Sequence, residues 1–332
     1  MRQVHTFIQG WEWQEIILNE NGDQIEQLKK EFPEHEVWIN NTMNIETNYL
    51  RVHQEEEGEE FVLTGSLNYS RDPENPNAHK LFHYYVKKDK LITVGLDLHL
   101  LSYITCEEVV RMMRRCDDAC EGFLLLIGEV LNTFLEGIDD FEGDLLKLER
   151  VFRLNNKGNV LEEIFELRSK LLFIKHLAIP VEEILLAMEE AFLDAVLKTN
   201  EYRRSNAKLR RTLTLLDHYE DQIETLLNLN MNLYSYRGNE IVKALTVFTV
   251  LVTPVTAFGA IWGMNFKNMP ELDWGSGYVF SWAMILGTTL LIYFWLYRKG
   301  WTGDVLRRPG KNSLKIFKKD REDREENSSN KE

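Results

Sequence analysis

Hydrophobic and polar positions change their period along this chain of 332 residues, and the first third has the pattern of short strands. Apolar residues recur there in brief runs between polar stretches, which is typical of half-buried strands. Residues 24–32 are predicted as a short helix that ends before Pro33, and residues 55–60 and 72–77 as polar loops. The predicted strands are residues 4–8, 15–18, 61–67, 82–86 and 91–94. Residues 1–105 are therefore predicted as a cytoplasmic α/β part.

From Cys106 onward the apolar period becomes helical. Residues 107–154 are predicted as one or two long helices, and residues 159–197 as another that Pro180 kinks or divides. Residues 199–262 are predicted as one continuous helix of ~64 residues and roughly 95 Å. The alternative is that Gly238 breaks this segment into two helices. Residues 106–237 are thus predicted as cytoplasmic long helices with a stalk.

Two long apolar runs lie near the C-terminus, at residues 241–262 and 278–297. Each has about the 20 residues that a helix needs to cross a lipid bilayer. We therefore predict a two-span transmembrane domain at 238–297, an extracellular loop at 263–277 and a basic cytoplasmic tail at 298–332.

The distribution of basic residues predicts the orientation of these spans. The N-terminal segment lacks the basic start and apolar core of a signal peptide. Lys267 is the one basic residue between the spans, whereas many follow the second span: Arg298, Lys299, Arg307, Arg308, Lys311, Lys315, Lys318 and Lys319. Because basic loops stay inside, we expect a multi-pass protein of the cell membrane with both termini cytoplasmic.

Charge and reactive side chains exclude some classes of function. The net charge is −14 and no basic patch with interleaved aromatic residues occurs, so nucleic acid is not an expected partner. The three cysteines, Cys106, Cys116 and Cys120, are expected to be free thiols in a reducing compartment. His79 is predicted to lie in a loop and His83 in a strand, each as a surface or packing residue. Since no nucleophile–base pair stands out, an enzyme is not expected.

A polar stripe follows one face of the first span. Thr246, Thr249, Thr253 and Thr256 fall within a ~80° arc of a helix, and Ser235 and Asn239 lie on or beside it. One interpretation is that each hydroxyl bonds its own i−4 carbonyl or packs against the second span. The other is a pore wall that several copies of the chain build around an axis.

The end of this span carries a recognisable motif, Gly263-Met264-Asn265, which is followed by Phe266 and by residues 269–272, MPEL. With the two terminal spans and the long preceding helix, this segment resembles the CorA-type magnesium channel family. Further upstream matches are Ser235, Asn239, Glu240, Lys243, Leu245, Thr246 and Pro254. The resemblance implies a homopentameric funnel with a cytoplasmic α/β/α domain and a pore lined by the first span. It also implies passive transport of Mg²⁺, and often of Co²⁺ or Ni²⁺.

The chemistry of Mg²⁺ agrees with these residues. Mg²⁺ loses its waters reluctantly, so a pore for it should hold the hydrated ion through neutral oxygens. The Asn265 amide and the Gly263 carbonyl supply such oxygens at the selectivity filter, with Met264 between them. Glu271 and Asp273 in the loop either raise the local cation concentration or are simply solvated.

Further along the same face, Asn239, Thr249, Thr253 and Thr256 are expected to contact the water shell of the ion. Val242 and Leu245 are expected to form a hydrophobic constriction that closes by dewetting. Ser235 completes the predicted pore lining at the cytoplasmic end. At the position of Thr253 the family usually has a bulky apolar residue, so this constriction would depend on Val242 and Leu245 alone.

Two other functions remain open from the sequence. The first is a Zn²⁺ transporter of the ZntB type, although that branch usually varies the middle residue of the motif and Met264 is retained here. The second is a non-conducting sensor anchored in the membrane, which would leave the threonine stripe unexplained. Competition among metal ions in a flux assay separates the two transporters, and a sensor would show no flux.

One departure from the family generates a prediction about regulation. Where the family commonly has acidic residues that hold regulatory Mg²⁺, this chain has Arg203 and Arg204. Because arginine repels a cation, we expect raised cytoplasmic Mg²⁺ to close this channel less effectively than is usual for the family. Patch recordings at increasing cytoplasmic Mg²⁺ measure this, and steep closure would contradict it.

Overall fold

A computed structural model describes residues 2–17, 38–40, 47–54, 60–71, 79–101, 104–154, 160–267, 269–270 and 274–301. It divides into two compact units, Met1–Asn228 and Leu229–Glu332. The described strands are β1 (Arg2–Thr6), β2 (Glu12–Ile16), β3 (Tyr49–Gln54), β4 (Phe61–Arg71), β5 (His79–Val86) and β6 (Lys90–Val94). The described helices are α1 (Cys106–Met113), α2 (Ala119–Leu154), α3 (Val160–Phe192), α4 (Asp194–Leu197), α5 (Asn200–Trp262) and α6 (Gly277–Arg298).

The strands of the first unit form one sheet in the order β1-β2-β6-β5-β4-β3. Every neighbouring pair is antiparallel except β2 and β6, which run parallel. Both faces of this sheet are covered, because buried side chains alternate between two separate hydrophobic clusters. The larger cluster includes Phe123 of α2 and the smaller includes Ile39 of the helical residues 38–40. The sheet is therefore packed on both sides, as the expected α/β/α domain requires.

The structure confirms most predicted strands and corrects three points. The second strand ends at Ile16 and begins at Glu12, three residues before the predicted start, because Trp13 is buried there despite its polar neighbours. Strand β3 was missed because it is a half-exposed edge strand with a mixed polar sequence. His79 begins β5 and does not lie in a loop. The predicted helix at 24–32 and most of the two predicted loops lie outside the described residues.

The long helices are confirmed, with one break in an unexpected place. Helix α3 continues through Pro180, because the residue whose carbonyl loses its donor, His176, is on the exposed side. The chain instead leaves the helix at Leu193, whose φ of 46° is unusual for a residue other than glycine. Helix α1 begins with a capping box between Thr105 and Glu108.

Helix α5 is continuous from Asn200 to Trp262, so the alternative of a break at Gly238 is excluded. In the first unit its beginning is attached to α2 by two polar contacts. The Ser205 hydroxyl donates to the Leu124 carbonyl over 2.9 Å, and the Lys208 Nζ donates to the Gly128 carbonyl over 2.9 Å. Its apolar side packs with a helical period into the larger hydrophobic cluster through Tyr202, Leu209, Leu216, Tyr219, Ile223 and Leu226.

Buried side chains confirm two further expectations. All three cysteines are free, and Cys116 and Cys120 are buried in the larger hydrophobic cluster. His83 is a packing residue, buried in β5 with its Nδ1 2.7 Å from the Ser66 hydroxyl. Burial lowers the pKa of His83 from 6.5 to about 4.

We expect the stability of the first unit to fall with acidity because of His83. Its pKa is about 4 in the folded chain and 6.5 in an unfolded one, so the unfolded state binds more protons between these values. The free energy of unfolding therefore has its full value above pH 6.5. It falls by about 3 kcal/mol as the pH drops from 6.5 to about 4. Thermal unfolding of the detergent-solubilised protein at several pH values measures this loss.

The variant His83→Asn should lose at least half of that pH dependence, whereas His176→Gln, at an exposed position on α3, should keep all of it. An unchanged pH dependence in His83→Asn would contradict the assignment.

Candidate ion pathway in the membrane-spanning helices

Two helices of the described chain, α5 and α6, are long and apolar enough to cross a membrane. Only 6% of each apolar stretch is buried within the chain. Large apolar side chains such as Ile241, Phe248 and Leu291 are therefore exposed on the single chain. A surface of this size requires lipid or further protein as a cover.

The four threonines of the stripe all hydrogen-bond within their own helix. The hydroxyls of Thr246, Thr249 and Thr253 donate to the i−4 carbonyls over 2.8 Å each, and that of Thr256 does so over 3.2 Å. The first part of the first interpretation is thus confirmed. It does not remove the stripe as a polar surface, because each hydroxyl oxygen still has lone pairs that accept hydrogen bonds.

The cytoplasmic end of the predicted lining is also exposed on α5. Val242 and Leu245 are exposed by 62% and 64%. Ser235 and Asn239 are exposed as well, and their side chains make no hydrogen bond to another residue that the structure describes. Helical geometry places these four side chains within or next to the arc of the threonines. One surface of α5 therefore carries the predicted polar positions and the two apolar ones.

Pro254 adds a polar atom that the sequence analysis missed. Proline has no amide hydrogen, so the Val250 carbonyl, four residues earlier, has no i+4 donor although α5 continues through this point. In hydrocarbon such a carbonyl is costly unless protein or water reaches it. The sequence does contain a signal for this atom, because a proline inside an apolar helix removes the i+4 donor of the carbonyl four residues earlier.

The Gly263-Met264-Asn265 motif directly follows the end of α5. The Gly263 amide donates to the Gly259 carbonyl over 3.0 Å, and the Met264 amide donates to the Ile261 carbonyl over 3.3 Å. A Cβ at position 263 would lie 2.9 Å from the Gly259 carbonyl oxygen, so this close turn favours glycine.

The side chains predicted for the filter are exposed. Met264 and Asn265 are both exposed, and the Asn265 amide has no hydrogen-bond partner among the described residues. It does not act as a cap for the helix within that part of the chain. Glu271 and Asp273 lie outside the described residues, so the structure leaves their predicted role as it was.

The arginine segment at the start of α5 lies in the first unit and has its own partners. The Arg204 Nη1 donates to Glu201 over 2.7 Å, one turn earlier in the same helix. The Tyr202 hydroxyl donates to the Glu189 carboxylate on α3. Arg203 is exposed. Within one chain, then, Arg204 already has an acidic partner.

Comparison with known proteins places these features in a family. Residues 9–298 match the family model described as CorA-like Mg²⁺ transporter protein. The chain is 39% identical over 306 residues to the magnesium transport protein CorA of Bacillus subtilis, covering 92% of this chain and 95% of that one.

Two solved structures share the fold at low identity. The CorA magnesium transporter of Methanocaldococcus jannaschii matches with a TM-score of 0.63 and 18% identity, over 88% of this chain and 92% of that one. The ZntB cytoplasmic domain of Vibrio parahaemolyticus matches with a TM-score of 0.53 and 12% identity, over 70% of this chain and 91% of that one.

The family model covers most of the chain, and it describes transporters, which confirms the expectation that the chain is not an enzyme. The α/β domain, the long helix and the two apolar helices agree with the fold of the solved relative. The chain is a membrane protein that belongs to the CorA-like Mg²⁺ transporter family.

Proposed function

We propose that the chain is a passive channel that takes up hydrated Mg²⁺ across the cell membrane, with Asn265 and Gly263 as its outer filter. The observation that carries this proposal is the state of the polar groups along α5. The threonine hydroxyls have used their hydrogens on the backbone, and the Asn265 amide is without a partner among the described residues. What this surface offers is a series of neutral acceptor oxygens.

A hydrated Mg²⁺ ion requires acceptors of this kind. The ion holds its waters by their oxygens, so the hydrogens of the water shell point outward and need neutral acceptors. A threonine that donates to its own backbone presents an oxygen without a competing hydrogen. The Asn265 side chain presents its amide oxygen in the same way. A ring of carboxylates would hold a divalent ion too tightly for rapid release.

A closed ring of several copies accounts for the exposed surfaces of α5 and α6. A polar stripe and a Val250 carbonyl without its i+4 donor are costly in lipid, but not where they line a water-filled passage. We infer a homopentamer, as the family resemblance implies, with α5 around the axis and α6 toward the bilayer. The relative in Bacillus subtilis carries the name magnesium transport protein, which supports Mg²⁺ as the transported substrate.

The basic tail after α6 supports an orientation with both termini in the cytoplasm. Helix α5 then runs outward, and the partially negative ends of its copies converge at the outer mouth, where they attract cations. Glu271 and Asp273 would add to this attraction without binding the ion directly. The membrane potential supplies roughly 4.6 kcal/mol to a divalent ion at 100 mV, from ~2.3 kcal/mol per charge.

The gate of this channel is assigned to Val242 and Leu245. Both are exposed on the single chain, and both lie on the surface of α5 that carries Ser235 and Asn239. Apolar rings at a narrow point expel water, and a hydrated ion does not pass a dry segment. Thr253 and Thr256 lie further toward the filter and would contact the water shell after this point.

Co²⁺ and Ni²⁺ are further substrates by the same chemistry, since their hydrated ions also present outward hydrogens. A Zn²⁺ transporter of the ZntB type is the second candidate. The likeness to the ZntB cytoplasmic domain shows the fold alone and does not favour Zn²⁺. A membrane-anchored sensor without flux is the third, and it gives no role to the polar surface of α5.

Asn265→Ala tests the filter directly. We expect Mg²⁺ flux into proteoliposomes to fall at least about 100-fold, because each copy loses the oxygen that positions the incoming ion. Lys267→Ala, an exposed side chain in the same loop, is the matched control and should retain most of its flux. Unchanged flux in Asn265→Ala would overturn the role of this residue. Absence of flux of any divalent ion in the wild type would favour the sensor.

A second pair of variants tests the threonine surface. Thr249→Val keeps the shape of the side chain but removes its acceptor, and a lost hydrogen bond of ~1 kcal/mol predicts at least about 5-fold lower flux. Thr288→Val on α6 removes an equivalent hydroxyl, which donates to the Met284 carbonyl over 2.7 Å. We expect no change of flux in Thr288→Val. Thr249→Ser returns the acceptor and should keep the flux of the wild type. Equal effects in the two helices would contradict the assignment of α5 to the pore.

A further inference from the structure

Three side chains with metal-binding atoms meet in the first unit. They are His5 on β1, Glu15 on β2 and Cys106 at the start of α1. One ligand atom of each lies within 4.8 Å of the other two. The Cys106 Sγ lies 3.9 Å from the Glu15 Oε2.

The fold, and not a local sequence motif, brings these residues together. Glu15 is paired with Gln3 in the register of β1 and β2, and His5 is paired with Trp13. Because side chains alternate between the faces of a sheet, His5 and Glu15 are diagonal neighbours on one face. Cys106 reaches the same place from a helix that starts directly after its Thr105 cap.

The polar atoms of this cluster are poorly satisfied. The His5 Nε2 is buried and has no hydrogen-bond partner in the part of the chain that the structure describes. Glu15 is only 4% exposed, yet its contact with the Cys106 thiol is long and weak. Buried polar groups are costly unless something pairs with them, so an additional partner at this point would be stabilising.

The electrostatics of the three groups are consistent with an unpaired site. Burial raises the pKa of the Glu15 carboxyl, and Asp97 adds to this effect, while the Cys106 hydrogen bond and His99 oppose it. Burial also raises the pKa of the Cys106 thiol, and the nearby carboxylate of Glu15 raises it further. Burial lowers the pKa of His5, which keeps its imidazole neutral and able to bind a metal. A divalent cation would neutralise the charge that makes Glu15 and Cys106 costly when ionised.

We propose that His5, Glu15 and Cys106 form a binding site for a divalent transition metal of the Zn²⁺ class. Zinc takes nitrogen, sulfur and carboxylate ligands at about 2.0–2.3 Å in a tetrahedron, which puts neighbouring ligand atoms roughly 3.3–3.7 Å apart. Separations of up to 4.8 Å need to shorten by at most about 1.5 Å, which side-chain rotations supply. Water would fill the fourth position, since His5 and Cys106 are partly exposed.

This site differs in kind from the proposed pathway through the membrane. Mg²⁺ prefers oxygen ligands in octahedral geometry and has little affinity for thiolate and imidazole. A bound Zn²⁺ would join the edge of the sheet at β1 and β2 to the start of α1. The site therefore does not depend on the transport function and is tested without any flux measurement.

Cobalt substitution in the full-length, detergent-solubilised protein provides the test. Co²⁺ bound by a thiolate gives a charge-transfer band in the near ultraviolet, and excess Mg²⁺ is included to fill oxygen-only sites. We expect this band at one equivalent of Co²⁺ per chain, and we expect Zn²⁺ to abolish it. Zn²⁺ competition against a chromophoric chelator then gives the affinity.

Cys106→Ser should abolish the band, and His5→Gln and Glu15→Gln should each weaken Zn²⁺ binding at least about 100-fold. His218→Gln, an exposed histidine on α5, is the matched control and should bind as the wild type does. Near-ultraviolet circular dichroism without metal shows whether each variant is folded. If His5→Gln does not fold, Cys106→Ser alone is enough to test the site. No band in the wild type, or a band that persists in Cys106→Ser, would overturn the site.

Discussion

The need to satisfy backbone polar groups in hydrocarbon governs what α5 can be. Water is absent there, so the amides and carbonyls must bond within the helix, and a helix is the structure that achieves this without a partner. The threonine hydroxyls follow the same rule by donating to i−4 carbonyls. What remains is acceptor oxygen, on the hydroxyls and on the Val250 carbonyl, which Pro254 deprives of its i+4 donor. The membrane itself thus selects a surface that suits the outward hydrogens of a hydrated cation.

The same helix is held quite differently in the first unit. There Ser205 and Lys208 bond to carbonyls of α2, and the apolar side of α5 is buried in the core. Beyond Leu229 the side chains of α5 are largely exposed on the single chain. One helix therefore combines a fixed, packed beginning with an end whose cover must come from outside the chain. That division follows from composition, because the polar pattern of the stalk gives way to a nearly continuous apolar run.

The sequence was most informative where the physical signal is local. Apolar length predicts the spans, a three-to-four spacing predicts the threonine surface, and neither depends on the rest of the fold. Gly238 did not break α5, because one glycine costs a helix only about 1 kcal/mol. Prediction failed at β3, where edge exposure mixes polar and apolar residues. At Pro180 one of the two predicted outcomes is excluded, because α3 is not divided there and the carbonyl that lost its donor lies on an exposed side. The cluster of Glu15 and Cys106 joins residues 91 positions apart, which no local pattern reveals.

Ligand type separates the two cation sites argued for this chain. In the proposed channel, the surface of α5 would offer neutral oxygens that hold a water shell weakly, as fast permeation requires. The cluster in the first unit offers imidazole, carboxylate and thiol, which would replace the water shell of a transition metal and hold it tightly. Mg²⁺ gives up its waters reluctantly and avoids the second site, whereas Zn²⁺ exchanges them for nitrogen and sulfur. A channel for hydrated Mg²⁺ can therefore carry a site for a different metal in the same subunit. The neutral oxygens suit an ion that keeps its waters, and the thiol and imidazole suit an ion that gives them up.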